Sequence, residues 1–278
     1  MAKLTRPIVL LSDFGTRDAF VGQMKAVISG IAPAAPIIDL THAVEPFAVD
    51  EGAWTLECAM AVLPDGAVIL AVVDPGVGTE RRGVAIRAEG RVFIGPDNGL
   101  LSAAFPAPLR GRAGDVPASH ALGSAAVEVR ELVNPQFQRP HVSPTFHGRD
   151  IFAPAAAHIA AGLDFRHLGP PRHDAHILGP FTGRPGPQGE LRGRVIHVDR
   201  FGNLVTTVRA HELFPQFDLQ LGAHHIDRRV WTFGAAPDAR PFCYPDSSGF
   251  VAIAINQASA AATLGARRGD PVVVRAQP

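Results

Sequence analysis

Cysteine is nearly absent from this chain of 278 residues: there are two, Cys58 in an expected helix and Cys243 far downstream. That excludes a disulfide framework and a thiolate metal cluster, and it fits a reducing cytoplasm. No stretch approaches the run of about eighteen apolar residues that a spanning helix needs. The opening MAKLTRPIVLLSDFG carries neither a signal-peptide apolar region nor a cleavage site. The expectation is a soluble cytoplasmic protein with no membrane partner. Charge of one sign is also missing, since Lys plus Arg and Asp plus Glu both number 26. Such a balance leaves no electrostatic footprint for nucleic acid and suits a small neutral or zwitterionic ligand.

Several catalytic signatures are missing as well. There is no GxxxxGK[ST], and Gly76-Val77-Gly78 followed by Gly83 is too long for the dinucleotide-binding GxGxxG. Without HExxH or paired CxxC, and with His224-His225 pointing to opposite faces of a strand, a catalytic metal is not expected. No GxSxG elbow occurs and no serine is set with a histidine in a catalytic motif, so a serine nucleophile has little support.

What is present is organised around Val68–Arg82, VILAVVDPGVGTERR. Val68 to Val73 read as a strand buried on both faces of a parallel sheet. Asp74 is the first residue past its carboxyl end, where open α/β sheets place their ligands. The same pattern recurs along the chain. Pro7–Ser12 runs into Asp13-Phe14-Gly15, Ile37-Ile38 into Asp39, and Arg91–Gly95 into Pro96-Asp97-Asn98-Gly99. Each acid alone could be a turn former; together they suggest a functional sheet edge. Between the strands, Phe20, Val21, Met24, Val27, Ile28 and Ile31 make one helical stripe that Asp18 can cap, and a second helix is expected from Asp50 to Leu63.

This βαβαβ alternation predicts an α/β amino-terminal domain, residues 1–180, with a mainly parallel sheet. From Pro106 to Ser143 only a helix near Ala125–Leu132 is expected. Thr145-Phe146-His147-Gly148-Arg149-Asp150 sets a histidine just before a helix that Asp150 can cap and Gly162 can end. Gly179–Gly189 reads as a linker. Beyond it come short strand candidates at Leu191–Val198, Asn203–Val208, Phe217–Leu221, Arg229–Phe233, Gly249–Ile255 and Pro271–Arg275, with one helix at Ser259–Leu264. They predict a smaller all-β, barrel-like domain over residues 190–278.

The sheet edge could bring together a carboxylate (Asp74), a guanidinium (Arg81 or Arg82) and an imidazole (His147). An acid and a histidine can orient and polarise a water, and an arginine keeps the carboxylate ionised. The set suits displacement by water on a substrate that already carries a good leaving group.

The chain resembles the adenosine-forming S-adenosyl-L-methionine hydrolases, a family that also contains the fluorinating and chlorinating adenosyl transferases. The motifs that carry the likeness span nearly the whole chain: SDFGTRDAFVGQMKAVI, VVDPGVGTERR, PDNGLL, TFHGRDIFAPAAAHIAAG, VDRFGNLVT and SSGFVAIAINQASAAATLG. The resemblance implies an α/β domain followed by a barrel-like one. It also implies a homotrimer whose substrate, S-adenosyl-L-methionine, lies between the first domain of one subunit and the second of its neighbour. It places the catalytic trio on Asp74, Arg81 and His147, with no metal and no cofactor. Asp13 would hold the ribose diol, two acceptor oxygens against two hydroxyl donors. Phe47 would cover the sugar or adenine, Thr145 and Phe146 line the reacting centre, Phe201 and Asn203 meet adenine, and Asp199 and Ser247 lie at the methionine end.

Water attacking the ribose C5′ would yield adenosine and methionine. The nearest alternative is a halogenase. Halogenating relatives carry a tyrosine where this chain has Asp74, fluorinating ones insert a loop after the PDNGLL-like motif, and a buried aspartate repels halide by several kcal/mol at low dielectric. Other readings are a protein that binds adenosyl compounds without turnover and a metal-dependent hydrolase that uses the strand-end acids.

Overall fold

The structure is a computed structural model that describes residues 5–123 and 126–277. The chain divides into two compact units between Pro180 and Phe181.

The first unit is built on β1 (Ile8–Ser12), α1 (Phe20–Ile31), β2 (Ile37–Thr41), α2 (Val49–Ala59), β3 (Val68–Val72), β4 (Gly83–Ala88) and β5 (Arg91–Pro96). After these come α3 (Ala107–Arg110), β6 (Ala118–Ala121), β7 (Glu128–Glu131), α4 (Ala153–Ala160), β8 (Pro171–Arg172) and β9 (Asp174–Ile177). Seven strands form one sheet in the order β2-β1-β3-β5-β4-β7-β8, and β6 pairs with β9 apart from it. β2, β1, β3 and β5 run parallel, whereas β4, β7 and β8 add antiparallel pairings. The α/β expectation holds, with a mixed sheet.

Period-two alternation explains the layers. Ile8, Leu10, Val68, Leu70 and Val72 face one side and pack with Met24 and Ile28 of α1 and the alanines of α4. Val9, Leu11, Ile69, Ala71 and Val73 face the other and pack with Leu56 of α2. With both faces covered, β1 and β3 are buried at every residue, which is why they read as unbroken apolar runs. The strand order then sets the carboxyl ends of β2, β1, β3 and β5 side by side.

Some local expectations fail for reasons of tertiary context. Asp18 does not cap α1, whose N-cap position is Ala19 with no side-chain bond. β2 continues through Asp39 to Thr41, so this acid lies within the strand. Asp150 is not a cap either. It lies in a π-helical turn, Gly148–Phe152, is fully buried, and accepts from Arg149 and from the Ser143 amide. The helix expected near Ala125–Leu132 is instead strand β7; Ala125 itself lies outside the described residues. There Val129 packs against Ile86 across the β4 ladder, and pairing with the sheet overrides helical propensity.

The second unit contains β10 (Arg184–Pro185), β11 (Leu191–Val198), β12 (Leu204–Arg209), β13 (Phe217–Leu221), β14 (His224–Ile226), β15 (Phe242–Pro245), β16 (Phe250–Ala254), α5 (Ala260–Leu264) and β17 (Pro271–Ala276). The antiparallel order is β14-β13-β17-β11-β12-β16-β15, with β10 added on β11. β11 changes partner along its length, pairing with β17 through Arg194 and with β12 from Val195. The two ends of the strand order then meet: Cys243 of β15 donates to the Arg228 carbonyl, and Val230 donates back to the Cys243 carbonyl. That contact nearly closes the sheet around Val195, Leu219, Val251, Ile253 and Val274 and removes exposed edges. The barrel-like expectation holds. Arg229–Phe233 supplies this closing bridge rather than a strand, and Phe242–Pro245, not foreseen, is one. Part of the expected linker is ordered as β10.

Candidate active site

β3 delivers Asp74 directly into a tight turn, and the chain returns seven residues later with Arg81. The Arg81 fork grips the carboxylate with both arms: Nε donates to Oδ1 at 3.0 Å and Nη2 to Oδ2 at 2.5 Å. Nη2 also lies 3.0 Å from Nδ1 of His147. Three residues from two distant stretches thus form one continuous constellation. Its walls are apolar, with the Arg81 guanidinium 5.4 Å from the Phe152 ring centre and the His147 ring edge-on to the same phenyl.

The Asp74 and Arg81 side chains are only 5% and 9% exposed. A buried pair of this kind adds little net stability, because desolvation consumes most of the Coulomb attraction; such pairs are kept for specificity or chemistry. Burial raises the Asp74 carboxyl above its ordinary value, against the pull of the Arg81 charge and its hydrogen bonds. Burial also lowers His147, and the neighbouring Arg81 charge adds to the effect. An environment that pushes an acid up and an imidazole down is suited to proton handling near neutrality.

Close backbone approach brings the pieces together. Gly78, at φ +78°, would place a Cβ 2.4 Å from the Pro144 carbonyl oxygen, so only glycine lets the 74–82 loop lie against the segment leading to His147. Asn98, past β5, donates to the Val73 carbonyl at 2.8 Å and braces the residue before Asp74. The two arginines part in geometry. Arg82 turns away to Asp97 (Nε to Oδ2, 3.0 Å) and Asp174 (Nη2 to Oδ2, 2.9 Å). Asp97, buried, also accepts from the His176 amide and therefore serves a structural ion network.

At the neighbouring strand end, Asp13 accepts from the Phe47 amide through Oδ2 at 2.9 Å. Phe47 has φ +69° and is 72% exposed. A strained aromatic held open to solvent beside a carboxylate is characteristic of a ligand clamp. Phe146 is buried against Phe14 and Phe20, with ring centres at 5.8 and 5.2 Å, and Thr145 beside it is exposed.

In the second unit, Asp199, Phe201, Asn203, Tyr244, Gln257 and Ser259 line a cavity of about 690 Å³. Asp199 spends its carboxylate on its own turn. Oδ1 accepts from the Phe201 and Asn203 amides, and Oδ2 from the Asn203 side chain at 2.7 Å. Gly202, at φ +83°, permits the turn, which leaves Phe201 78% exposed. Ser247 is exposed on the loop after β15, outside the residues that line this cavity.

One arrangement escaped the sequence reading. Ser12 does stand beside a histidine, since its Oγ is 2.7 Å from Nδ1 of His42, and His42 Nε2 is 3.0 Å from Oδ1 of Asp39. Thirty residues separate serine and imidazole; the only signal was a polar residue at the end of each of two parallel strands.

Comparison with known proteins agrees with this architecture. A hydrolase of Thermus thermophilus, named (R)-S-adenosyl-L-methionine hydrolase, is 40% identical over 96% of this chain and 98% of its own. A protein of the same name from Salinispora arenicola is 38% identical over 97% of each chain. A fluorinase of Actinopolyspora mzabensis is more distant, at 27% identity over 97% of each. A crystal structure of an uncharacterized conserved protein from Thermotoga maritima superposes with a TM-score of 0.81 at 32% identity, covering 96% of this chain and 99% of the other. Residues 8–169 match the SAM hydroxide adenosyltransferase N-terminal domain, and residues 193–273 match the C-terminal domain. With both domains matched in order and the full-length relatives in agreement, the chain belongs to the SAM hydroxide adenosyltransferase family.

Proposed function

We propose that this protein hydrolyses S-adenosyl-L-methionine to adenosine and L-methionine, with Asp74, Arg81 and His147 as the catalytic residues. The observation that carries the reading is the bidentate Arg81–Asp74 pair joined to His147 at the carboxyl edge of β3. A water held at this group attacks C5′ of the ribose in line with the sulfonium. The new C5′–O bond forms as the C5′–S bond breaks, and its electron pair neutralises the sulfur to a thioether. The water proton passes to the Asp74 carboxylate and on to solvent. A raised carboxyl is the better proton acceptor. Because the leaving group is already cationic, positioning and exclusion of bulk water supply most of the required catalysis.

In this reading Asp13 takes the ribose diol, Phe47 covers the sugar or adenine, and Thr145 and Phe146 border the reacting carbon. Phe201 and Asn203 meet adenine, with Asp199 acting there through the turn it holds and Ser247 at the methionine end. The protein works as a homotrimer without metal or cofactor, each second domain serving a neighbouring subunit. The cavity beside the exposed Phe201 supports the adenine assignment.

The test is chromatography of the purified protein with S-adenosyl-L-methionine in halide-free buffer, with added chloride, and with a chelator, alongside a sedimentation measurement of assembly. Equal yields of adenosine and methionine, indifferent to chloride and chelator, are expected. A 5′-chloro nucleoside would establish a halogenase instead, and loss of turnover with chelator would overturn the metal-free mechanism.

A further inference from the structure

The hydrogen-bonded chain Ser12–His42–Asp39–Lys25 crosses the carboxyl ends of β1 and β2. It owes its existence to a slip in register. β1 and β2 pair Leu10 with Asp39 but Leu11 with Thr41, so one residue of β2 is left over. An unbroken ladder would set Thr41 beside Ser12; the slip brings His42 there instead. Lys25 of α1 anchors the far end through Oδ2 of Asp39 at 2.6 Å.

The arrangement has the parts of a serine nucleophile with its base, but Ser12 is 1% exposed and His42 7%. No acyl carbon can reach the hydroxyl, so covalent chemistry is excluded on access alone. Its hydrogen bonds point to a different use. Burial opposes the Asp39 charge, yet the Lys25 and His42 bonds prevail and hold its carboxyl below the ordinary value. Ionised Asp39 can only accept, which makes His42 Nε2 the donor. In its neutral form His42 then offers Nδ1 to the Ser12 hydroxyl, and Ser12 Oγ in turn accepts from the Phe14 amide at 3.3 Å. The His42 carbonyl accepts from the Gly15 amide at 2.7 Å. Residue 42 therefore ties down both ends of the Ser12–Gly15 turn, through its side chain at one end and its main chain at the other. Asp13 lies between these ties. Five residues after His42, the Phe47 amide fixes Oδ2 of Asp13, while Oδ1 has no hydrogen-bond partner among the described residues.

We infer that His42 is a positioning residue for Asp13: through Ser12 and the Gly15 amide it aims the carboxylate, and so sets the selectivity of the protein for nucleosides that carry both ribose hydroxyls. The inference rests on the proposed role of Asp13 at the diol. A carboxylate facing two hydroxyls gains from both only if its plane is held; a free turn would accept one at a time.

The test compares binding of adenosine and 2′,3′-dideoxyadenosine by calorimetry in the full-length protein and in Asp13→Asn, His42→Ala, His42→Asn and Asp39→Asn, with kcat and KM for S-adenosyl-L-methionine and thermal melts beside them. Asp13→Asn should abolish the preference for adenosine. In His42→Ala adenosine should weaken about tenfold, the effect of one misaligned charge-assisted hydrogen bond, with dideoxyadenosine unchanged and KM moved more than kcat. His42→Asn, whose Oδ1 can replace Nδ1 as acceptor for Ser12, should recover most of the preference. If Asp13→Asn leaves the preference intact, the diol reading itself fails. If Asp13→Asn abolishes it but His42→Ala keeps the wild-type ratio, or weakens both ligands equally, the positioning role is overturned. Should His42→Ala not fold, Asp39→Asn carries the same expectation and the same refutation with His42 in place.

Discussion

Nη2 of Arg81 approaches Nδ1 of His147 to 3.0 Å, and because a guanidinium only donates, that ring nitrogen is an acceptor. The neutral imidazole therefore carries its proton on Nε2. In the proposed reaction His147 would donate to the oxygen of a bound water or to a developing hydroxyl, and Asp74 would accept the water proton, so that one arginine arm divides the work between the two side chains.

This assignment makes a prediction for pH. Burial lifts Asp74 above the ordinary carboxylate range, so the ionised form that Arg81 needs is lost at a higher pH than for an exposed aspartate. Burial and the Arg81 charge lower His147, so the ring is already neutral below the usual imidazole value. kcat/KM should rise with pH along an acid limb that lies above the ordinary carboxylate value and stay flat beyond it. In Arg81→Met the limb should move upward, because burial remains and the compensating charge is gone. An acid limb that persists in Asp74→Asn and disappears in His147→Gln would transfer the acceptor role to His147.

Arg81 and Arg82 should separate cleanly on substitution. Arg81→Lys keeps the charge but loses the fork, and kcat should fall by roughly a hundredfold with the melting temperature little changed. Arg82→Ala leaves Asp97 buried without its partner. The cost should be on the order of 2 kcal/mol, less than for a fully buried pair because Arg82 and Asp174 reach solvent. Denaturant titration and turnover of the two variants check this. Equal loss of turnover at unchanged stability in Arg82→Ala would show that Arg82 belongs to the catalytic group.

Gly78→Ala tests the loop approach. The added methyl would meet the Pro144 carbonyl at 2.4 Å from a backbone at φ +78°, so the 74–82 loop must retreat from the segment carrying His147. A drop in kcat of about tenfold or more is expected from a displacement of this kind. Spectra of the folded state should persist. Wild-type turnover would mean that the loop tolerates the shift without disturbing the Arg81–His147 contact.

Phe47→Gly should affect stability and binding in opposite directions. Left-handed backbone strain at a bulky residue costs about 1–3 kcal/mol, and glycine relieves it at an entropic cost of about 0.5–1 kcal/mol. The ring is 72% exposed and contributes little burial. Thermal stability should hold or rise slightly, whereas KM for S-adenosyl-L-methionine should increase several-fold. Lower stability with unchanged KM would make Phe47 an ordinary packing residue.

The sequence by itself determined the elements whose environment is written locally. Val68–Val72 is buried on both faces, and its lack of polar alternation says so; Phe20–Ile31 presents Val21, Met24 and Ile28 at helical spacing and buries them. Asp74 beyond β3 followed from the same run. What tertiary structure decided was partnership. Arg81 and Arg82 are adjacent and chemically identical, and only the return path of the 74–82 loop sends one to Asp74 and the other to Asp97. Asp150 reads as a cap because caps are local, yet Arg149 and the Ser143 amide draw it into the interior. Ser12 and His42 lie thirty residues apart and meet through a register slip that no periodicity records. Residues 128–131 became a strand because β4 offered them an open ladder. Hydrophobic period reports which face of an element is buried; which side chain meets which depends on register and loop closure, and those are set by the whole chain at once.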